Sequence, residues 1–211
     1  MIIQWYGQAC FRIQSGQTVI FIDPFAKTIG LTPPRGEAHI VLVSHHHPDH
    51  NNAHALSGEF FLADGAGEYE VKGVKIFGIP SFHDDKEGSE RGPNTIFRLE
   101  AEDMTIVHLG DLGQKHLTDE QLEQLGEVDV LMIPVGGIYT VDGEEAAALV
   151  HKIEPKLVIP MHYKIKGLSV KLNDASVFLK ELGHEGSPVD KLTLKKKDLA
   201  DRDGSILILT P

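Results

Sequence analysis

The residues best equipped for chemistry sit side by side: His45-His46-His47-Pro48-Asp49-His50 contains a His-x-His-x-Asp-His pattern directly after an apolar run. Imidazole and carboxylate are ligand types for Zn, Mn and Fe. A structural zinc site would more typically use several thiolates, and this chain has one cysteine, Cys10. In an extended segment side chains alternate, so His45 and His47 face one side and can share an ion while His46 points away. Pro48 breaks that path and brings Asp49 and His50 round together, where they could serve a second ion. Two ions about 3.5–4 Å apart is the arrangement with which hydrolases hold a bridging hydroxide and polarise a scissile group.

Four residues cannot complete two sites, so the remaining ligands must be delivered from elsewhere in the fold. Several apolar, strand-like runs end on a polar residue: 19–22 on Asp23, 40–43 on Ser44-His45, 76–80 before His83, 105–107 before Asp111 and 157–160 before His162. Ligands and catalytic groups collect at such carboxyl ends, where a rigid strand meets an accessible loop. The full set of strand-like runs is 2–6, 11–14, 18–22, 40–43, 59–63, 74–80, 95–100, 104–109, 128–133, 157–160 and 205–209. Helical patterns are fewer, at 118–125, 143–153 and 173–182.

In chain order, Asp23, the 45–50 motif, His83, Asp111 and His162 resemble the five motifs of the metallo-β-lactamase superfamily. Ile22-Asp23-Pro24-Phe25, His108-Leu109-Gly110-Asp111-Leu112-Gly113, Val135-Gly136-Gly137 and Ile159-Pro160-Met161-His162-Tyr163 are similar to the branch of metal-dependent hydrolases that includes ascorbate-6-phosphate lactonase. More distantly they resemble the phospholipase D that acts on N-acylphosphatidylethanolamine. The likeness covers residues 1–165. It implies an α/β fold, a four-layer αββα sandwich with the metal site at one edge of two sheets, formed by residues 1–211 as one hydrolase domain.

The resemblance further implies that His45, His47 and His83 hold one metal and that Asp49, His50 and His162 hold the other, with Asp111 bridging. Asp23 would accept a hydrogen bond that fixes a ligand or its loop. Asp84 and Asp85 compete with His83 for its role. Asp49 is the expected catalytic residue, orienting the nucleophile and passing a proton to the leaving group. His116, Gly137, Tyr139 and Lys164 are candidate substrate contacts. The expected cofactors are two divalent ions, Zn first, then Mn or Fe. The reaction is cleavage of an ester-like bond, a lactone ahead of a phosphodiester. A phosphodiesterase or nuclease on the same site, and a non-catalytic metal-binding module, are the competing readings.

The other histidines are expected in structural roles: His46 in packing or supporting a ligand, His108 in the core, and His39, His54, His151 and His184 at the surface or hydrogen-bonded. Cys10, beside Phe11, reads as an inert buried thiol. With 211 residues and a net charge of −11, the chain is long enough for a sizeable core and too acidic to favour nucleic acid. The short basic run Lys195-Lys196-Lys197 is followed by acidic residues and reads as a solvated face. Composition and the absence of an 18-residue apolar run point to a cytoplasmic protein acting on a small molecule. Oligomeric state is not encoded in any of these features.

Overall fold

The computed structural model describes residues 1–184, 187–200 and 202–211. Thirteen strands among them form two mixed sheets. The first is built from β1 (Ile2–Trp5), β2 (Phe11–Ser15), β3 (Thr18–Ile22), β4 (Ile40–Leu42), β5 (Phe61–Ala63) and β12 (Leu192–Thr193), in the order β12-β1-β2-β3-β4-β5. The second contains β6 (Gly67–Val71), β7 (Val74–Phe82), β8 (Pro93–Ala101), β9 (Met104–His108), β10 (Val130–Pro134), β11 (Leu157–Met161) and β13 (Ser205–Ile206), in the order β13-β11-β10-β9-β8-β7-β6. Three helices accompany them: α1 (Asp119–Leu125), α2 (Gly143–Ile153) and α3 (Ser176–Glu181).

Period-2 alternation in the sequence sets the layers. In β3, Ile20 and Ile22 join the main core between the sheets, while Phe21 faces the opposite way. In β4, Ile40 and Leu42 likewise point inward and Val41 outward. The inner cluster continues through Ile76, Phe97, Ile106, Leu131 and Ile159 of the second sheet. β10 and β11 are buried along their whole length and read as unbroken apolar runs, as parallel strands covered on both faces do. Ala146, Leu149, Val150 and Ile153 of α2 supply part of that cover.

The two-sheet sandwich is the expected fold, with one difference in its outer layers. The helices belong to the second sheet's side. The outer face of the first sheet is closed by short 3-10 turns and loops, which bring Ala53 and Leu56 onto Phe21, Val41 and Val43. Helix boundaries follow capping chemistry. Thr118 caps α1 and Asp142 caps α2, each in a reciprocal box with the residue three positions on, Gln121 and Glu145. α3 begins later than the sequence pattern suggests, at Ser176, whose N–H donates to Asp174 Oδ1 at 2.9 Å. Lys196 does not lie on a free solvated face: its Nζ donates to the buried Asp129 at 2.7 Å, beside Lys156 Nζ at 2.8 Å, and ties that segment to the start of β10.

Strand directions explain where the polar ends go. β3 and β4 are parallel. β7 and β9 are each antiparallel to β8, and β9, β10 and β11 are parallel, so β7, β9, β10 and β11 run the same way. Their carboxyl ends deliver Asp23, His45, His83, Asp111 and His162 to a common edge of the sandwich. Among the described residues no helix is long and apolar enough to cross a membrane.

Candidate metal centre

Three overlapping groups of ligand-type atoms form at that edge: His45, His47 and His83; His45, His50 and Asp111; Asp49, His50 and His162. Within each group the atoms lie within 4.8 Å of one another. Asp111 is the hub. Its Oδ2 is 3.1 Å from His162 Nε2, 3.2 Å from His50 Nε2, 3.4 Å from His83 Nε2 and 3.9 Å from His45 Nε2. His45, His50, His83, Asp111 and His162 are buried. The chain does not stay extended through the motif. His50 N–H and Asn51 N–H both donate to His47 O, so a turn after His47 brings His50 back beneath His45. His46 is exposed, faces Asp64 at 3.8 Å and takes no part in packing.

Asp23 organises two of the imidazoles at once. Its Oδ2 is 3.0 Å from His50 Nδ1 and accepts from Ser44 Oγ at 2.6 Å, while Oδ1 accepts from Ser44 N–H at 2.7 Å. Ser44 Oγ lies 3.0 Å from His45 Nδ1. A proton on Nδ1 of each ring is therefore satisfied, so both Nε2 atoms point at Asp111 and, in the neutral ring, offer a lone pair to a metal ion. Ser44 was not singled out from sequence, since a lone serine before a histidine carries no signal of its own. Gln8 was also missed. Fully buried, it donates from Nε2 to Asp49 Oδ2 at 2.9 Å, and the same atom lies 2.8 Å from His162 Nε2.

The close approach of loops depends on glycine. Gly110 sits at φ +58, and a Cβ there would lie 2.3 Å from Asn94 Oδ1 and 2.7 Å from Ser44 Cβ. That space lets Asn94 Oδ1 accept from Asp111 N–H at 3.0 Å while its Nδ2 donates to Leu109 O and Ser81 Oγ. Gly136 packs equally tightly, with its would-be Cβ 2.1 Å from His162 O. His108 is a core histidine as expected: Nε2 donates to Ala9 O at 2.8 Å and Nδ1 accepts from Gly110 N–H.

Electrostatics follow from crowding. Burial, reinforced by His50, pushes the protonated form of His45 down to about 3. Burial also lowers His83. Burial opposes charge on His50 too, but Asp111, Asp23 and Asp49 outweigh it and raise its pKa well above the ordinary value. Asp111 is held well below the usual carboxylate range against the cost of burial, chiefly by His162 and His50. Cys10, packed with Phe25 and Ile29, has its thiol pushed up by burial, as an inert core residue should.

Metal ions fit this set. Among the described residues, seven buried side-chain polar atoms lack a hydrogen-bond partner, and five of them belong to His45, His50, His83, Asp111 and His162. A sixth is Gln8 Oε1, next to the cluster. Native interiors pair such atoms, so a concentration of unpaired polar atoms in one nitrogen-and-oxygen cage points to cations.

The cage opens into a chamber of about 250 Å³ lined by His47, Asp49, His83, Asp111, His162, Arg91, Tyr139 and Val170. Of the expected substrate contacts, only Tyr139 reaches it. Lys164 lines a separate cleft with Asp142 and Asn173. Gly137 packs against Asn173 and Asp142, and His116 lies exposed outside the chamber lining. Arg91 was missed because nothing near it in sequence links the 84–92 loop to residue 139.

Two sheets carrying this cage at one edge define a metallo-β-lactamase-fold protein, and the β-lactamase superfamily domain matches residues 2–162. Within that superfamily the chain belongs to the UPF0173 family of metal-dependent hydrolases. The family member from Pelotomaculum thermopropionicum is 32% identical over 195 residues, covering 77% of this chain and 84% of that protein. The one from Methanopyrus kandleri is 28% identical over 194 residues, with the same coverage of 77% and 84%. A solved structure from Thermotoga maritima, assigned to the Zn-dependent hydrolases of the metallo-β-lactamase superfamily, is 37% identical. It superposes with a TM-score of 0.83 over 99% of this chain and 97% of that one.

Proposed function

We propose that the protein hydrolyses an ester-like bond of a small molecule, a lactone ahead of a phosphodiester, with two divalent metal ions of which Zn is the first candidate and Mn or Fe the next. The observation that carries the reading is the convergence of the Nε2 atoms of His45, His50, His83 and His162 on Asp111 Oδ2, in a buried cluster where each of these five residues keeps an unpaired polar atom. His45, His47 and His83 would hold one ion, Asp49, His50 and His162 the other, and Asp111 both. Bound metal supplies Lewis acidity, bringing the pKa of water from 15.7 to about 7 and polarising the scissile oxygen.

The chain's own groups do the rest. Asp49 is the most accessible of the cage carboxylates, with 23% of its side chain exposed against 3% for Asp111 and none for Asp23. Its carboxylate therefore reaches the chamber, orients the attacking water and passes a proton to the leaving group. Gln8 fixes Asp49 from behind through its 2.9 Å hydrogen bond. Asp23 and Ser44 hold His45 and His50 in the tautomer that keeps Nε2 free. The small chamber supports a compact substrate, and the preference for a lactone rests on the Ile-Asp-Pro-Phe, Gly-Asp-Leu-Gly and Pro-Met-His-Tyr segments.

The test is the metal content, by plasma mass spectrometry, of untagged protein purified without chelator, beside Asp111→Ala. About two equivalents in the wild type, clearly fewer in the variant, and chelator-sensitive hydrolysis of lactones over phosphodiesters are expected. Less than half an equivalent after Zn or Mn is added back would overturn the reading.

A further inference from the structure

Arg91 stands where the metal chamber meets a second, larger space. Its side chain lines both the 250 Å³ chamber and an adjoining trough of about 590 Å³ walled partly by Pro80, Phe82 and Pro93. Among the described residues, no carboxylate oxygen lies closer than 4.0 Å to its guanidinium. The nearest carboxylate, Glu90, is 4.0 Å from Nη1 and is already taken by Lys86. What holds the guanidinium is uncharged: Ile138 O accepts from Nη2 at 3.4 Å, and the Tyr139 ring lies beneath it with its centroid 5.8 Å from Cζ.

The backbone beneath Arg91 is built for positioning. Asp84 is buried by its neighbours and accepts four backbone N–H bonds, from Lys86, Gly88, Glu90 and Arg91, at 2.7–2.9 Å. Asp84 follows His83 directly, so the same loop that brings a ligand to the cage fixes where the guanidinium stands. Arg98 shows the contrast. It pairs with Glu100 and lies over Phe77 on the sheet surface, as a structural arginine does.

We infer that Arg91 is the specificity-determining anion contact of this enzyme: the substrate carries a carboxylate or phosphate that docks on the Arg91 guanidinium while its scissile bond lies over the cage. A planar fork of N–H donors, mostly unengaged, matches either oxyanion, and stacking on Tyr139 holds the fork without cancelling its charge. On a chain of net charge −11, Arg91 is the one Lys or Arg among the described residues that line the chamber, and it gives a small anion a partner at the mouth of the site. The inference rests on the hydrolase reading of the cage.

Calorimetry with hydrolysis-resistant probes tests it. One pair is a five-membered lactam carboxylate and its neutral amide; the other is a lactam alcohol and its phosphomonoester. Metal content is measured on every sample. Metal-loaded wild type is expected to bind at least one charged probe about 10- to 100-fold more tightly than its neutral partner. Which pair discriminates tells carboxylate from phosphate. Arg91→Ala should reduce the ratio to below about 3-fold with metal content unchanged, and Arg91→Lys should keep part of it, because a point charge replaces the fork. Tyr139→Ala, which leaves the charge but removes its support, should lie between them.

Two results overturn the proposal: equal binding of both members of each pair by the wild type, or discrimination that survives intact in Arg91→Ala. The second would mean that the cage itself holds the anion. A protein that takes up no metal yet discriminates through Arg91 would instead sink the hydrolase reading and keep the anion site.

Discussion

The cage and the rim above it are built on different principles. Cage residues sit at strand ends or on the tight 45–50 turn that follows β4, are mostly buried, and are locked by glycines whose missing Cβ admits the Asn94 and Ser44 side chains at Gly110 and the His162 backbone at Gly136. The rim residues Arg91, Ile138 and Tyr139 sit on loops, are partly or largely exposed, and are held by one carbonyl contact and one ring face. The difference separates two tasks. Strand ends give the ligand geometry a precision that loops lack, and loops give recognition a freedom to change that strand ends lack.

The sharpest way to break the comparison is at its hub. Asp111→Ala should lower metal affinity by more than about 100-fold, beyond the effect usual for residues that only support a ligand, and abolish hydrolysis. Metal titration and turnover on the same samples check it. Next, Gly110→Ala forces a Cβ against Asn94 and Ser44 at a positive φ, and should cost about 2–3 kcal/mol of stability in chemical denaturation. Asp23→Asn keeps the shape but weakens the acceptor shared by His50 and Ser44. A 10- to 100-fold loss of metal affinity with little change in fold is expected, and a loss below about 3-fold would show that the two rings need no anchor.

Rim variants should behave in the opposite sense. Asp84→Asn should leave metal content unchanged while loosening the 84–92 loop, seen as faster amide exchange at Lys86, Gly88 and Arg91. It also carries a pH signature. Burial opposes charge on Asp84, but the four N–H donors hold its carboxyl at about 2, below the ordinary 3.8. The folded-state value is the lower one, so the carboxylate contributes stability above the unfolded value of 3.8 and loses it as pH falls toward 2. Denaturation midpoints followed from pH 5 to about 2 should fall more shallowly in Asp84→Asn than in the wild type. Smallest of all, His116→Ala and Lys164→Ala should change kcat/KM by less than about 2-fold, since neither lines the chamber.

Spacing carried the cage and could not carry the rim. His45, His47, Asp49 and His50 announce themselves because four potential ligands fall within six positions, and Asp111 and His162 because each follows an apolar strand. Gln8, Ser44 and Asn94 are single polar residues whose partners are set by topology: Gln8 is 154 positions from His162, and Asn94 is 17 from Asp111. Arg91 meets Tyr139 only after two loops fold toward each other. Among elements, β6 escaped notice because Gly-Glu-Tyr-Glu-Val lacks an apolar run. It is an edge strand, partly open to water, and needs little hydrophobicity. β10 and β11 were legible for the opposite reason.

Both sheets are completed late. β12 closes the first sheet by pairing with β1, which lies about 190 positions earlier, and β13 closes the second beside β11. Every cage residue precedes them, the last at His162. On a ribosome the cage sequence therefore emerges while β1 and β11 still present unpaired edges, and those edges stay open for the few seconds that some forty further residues take at about 5–20 per second. Such long-range pairing makes for slow folding, and the interval is when the nascent chain is most exposed to edge-to-edge association.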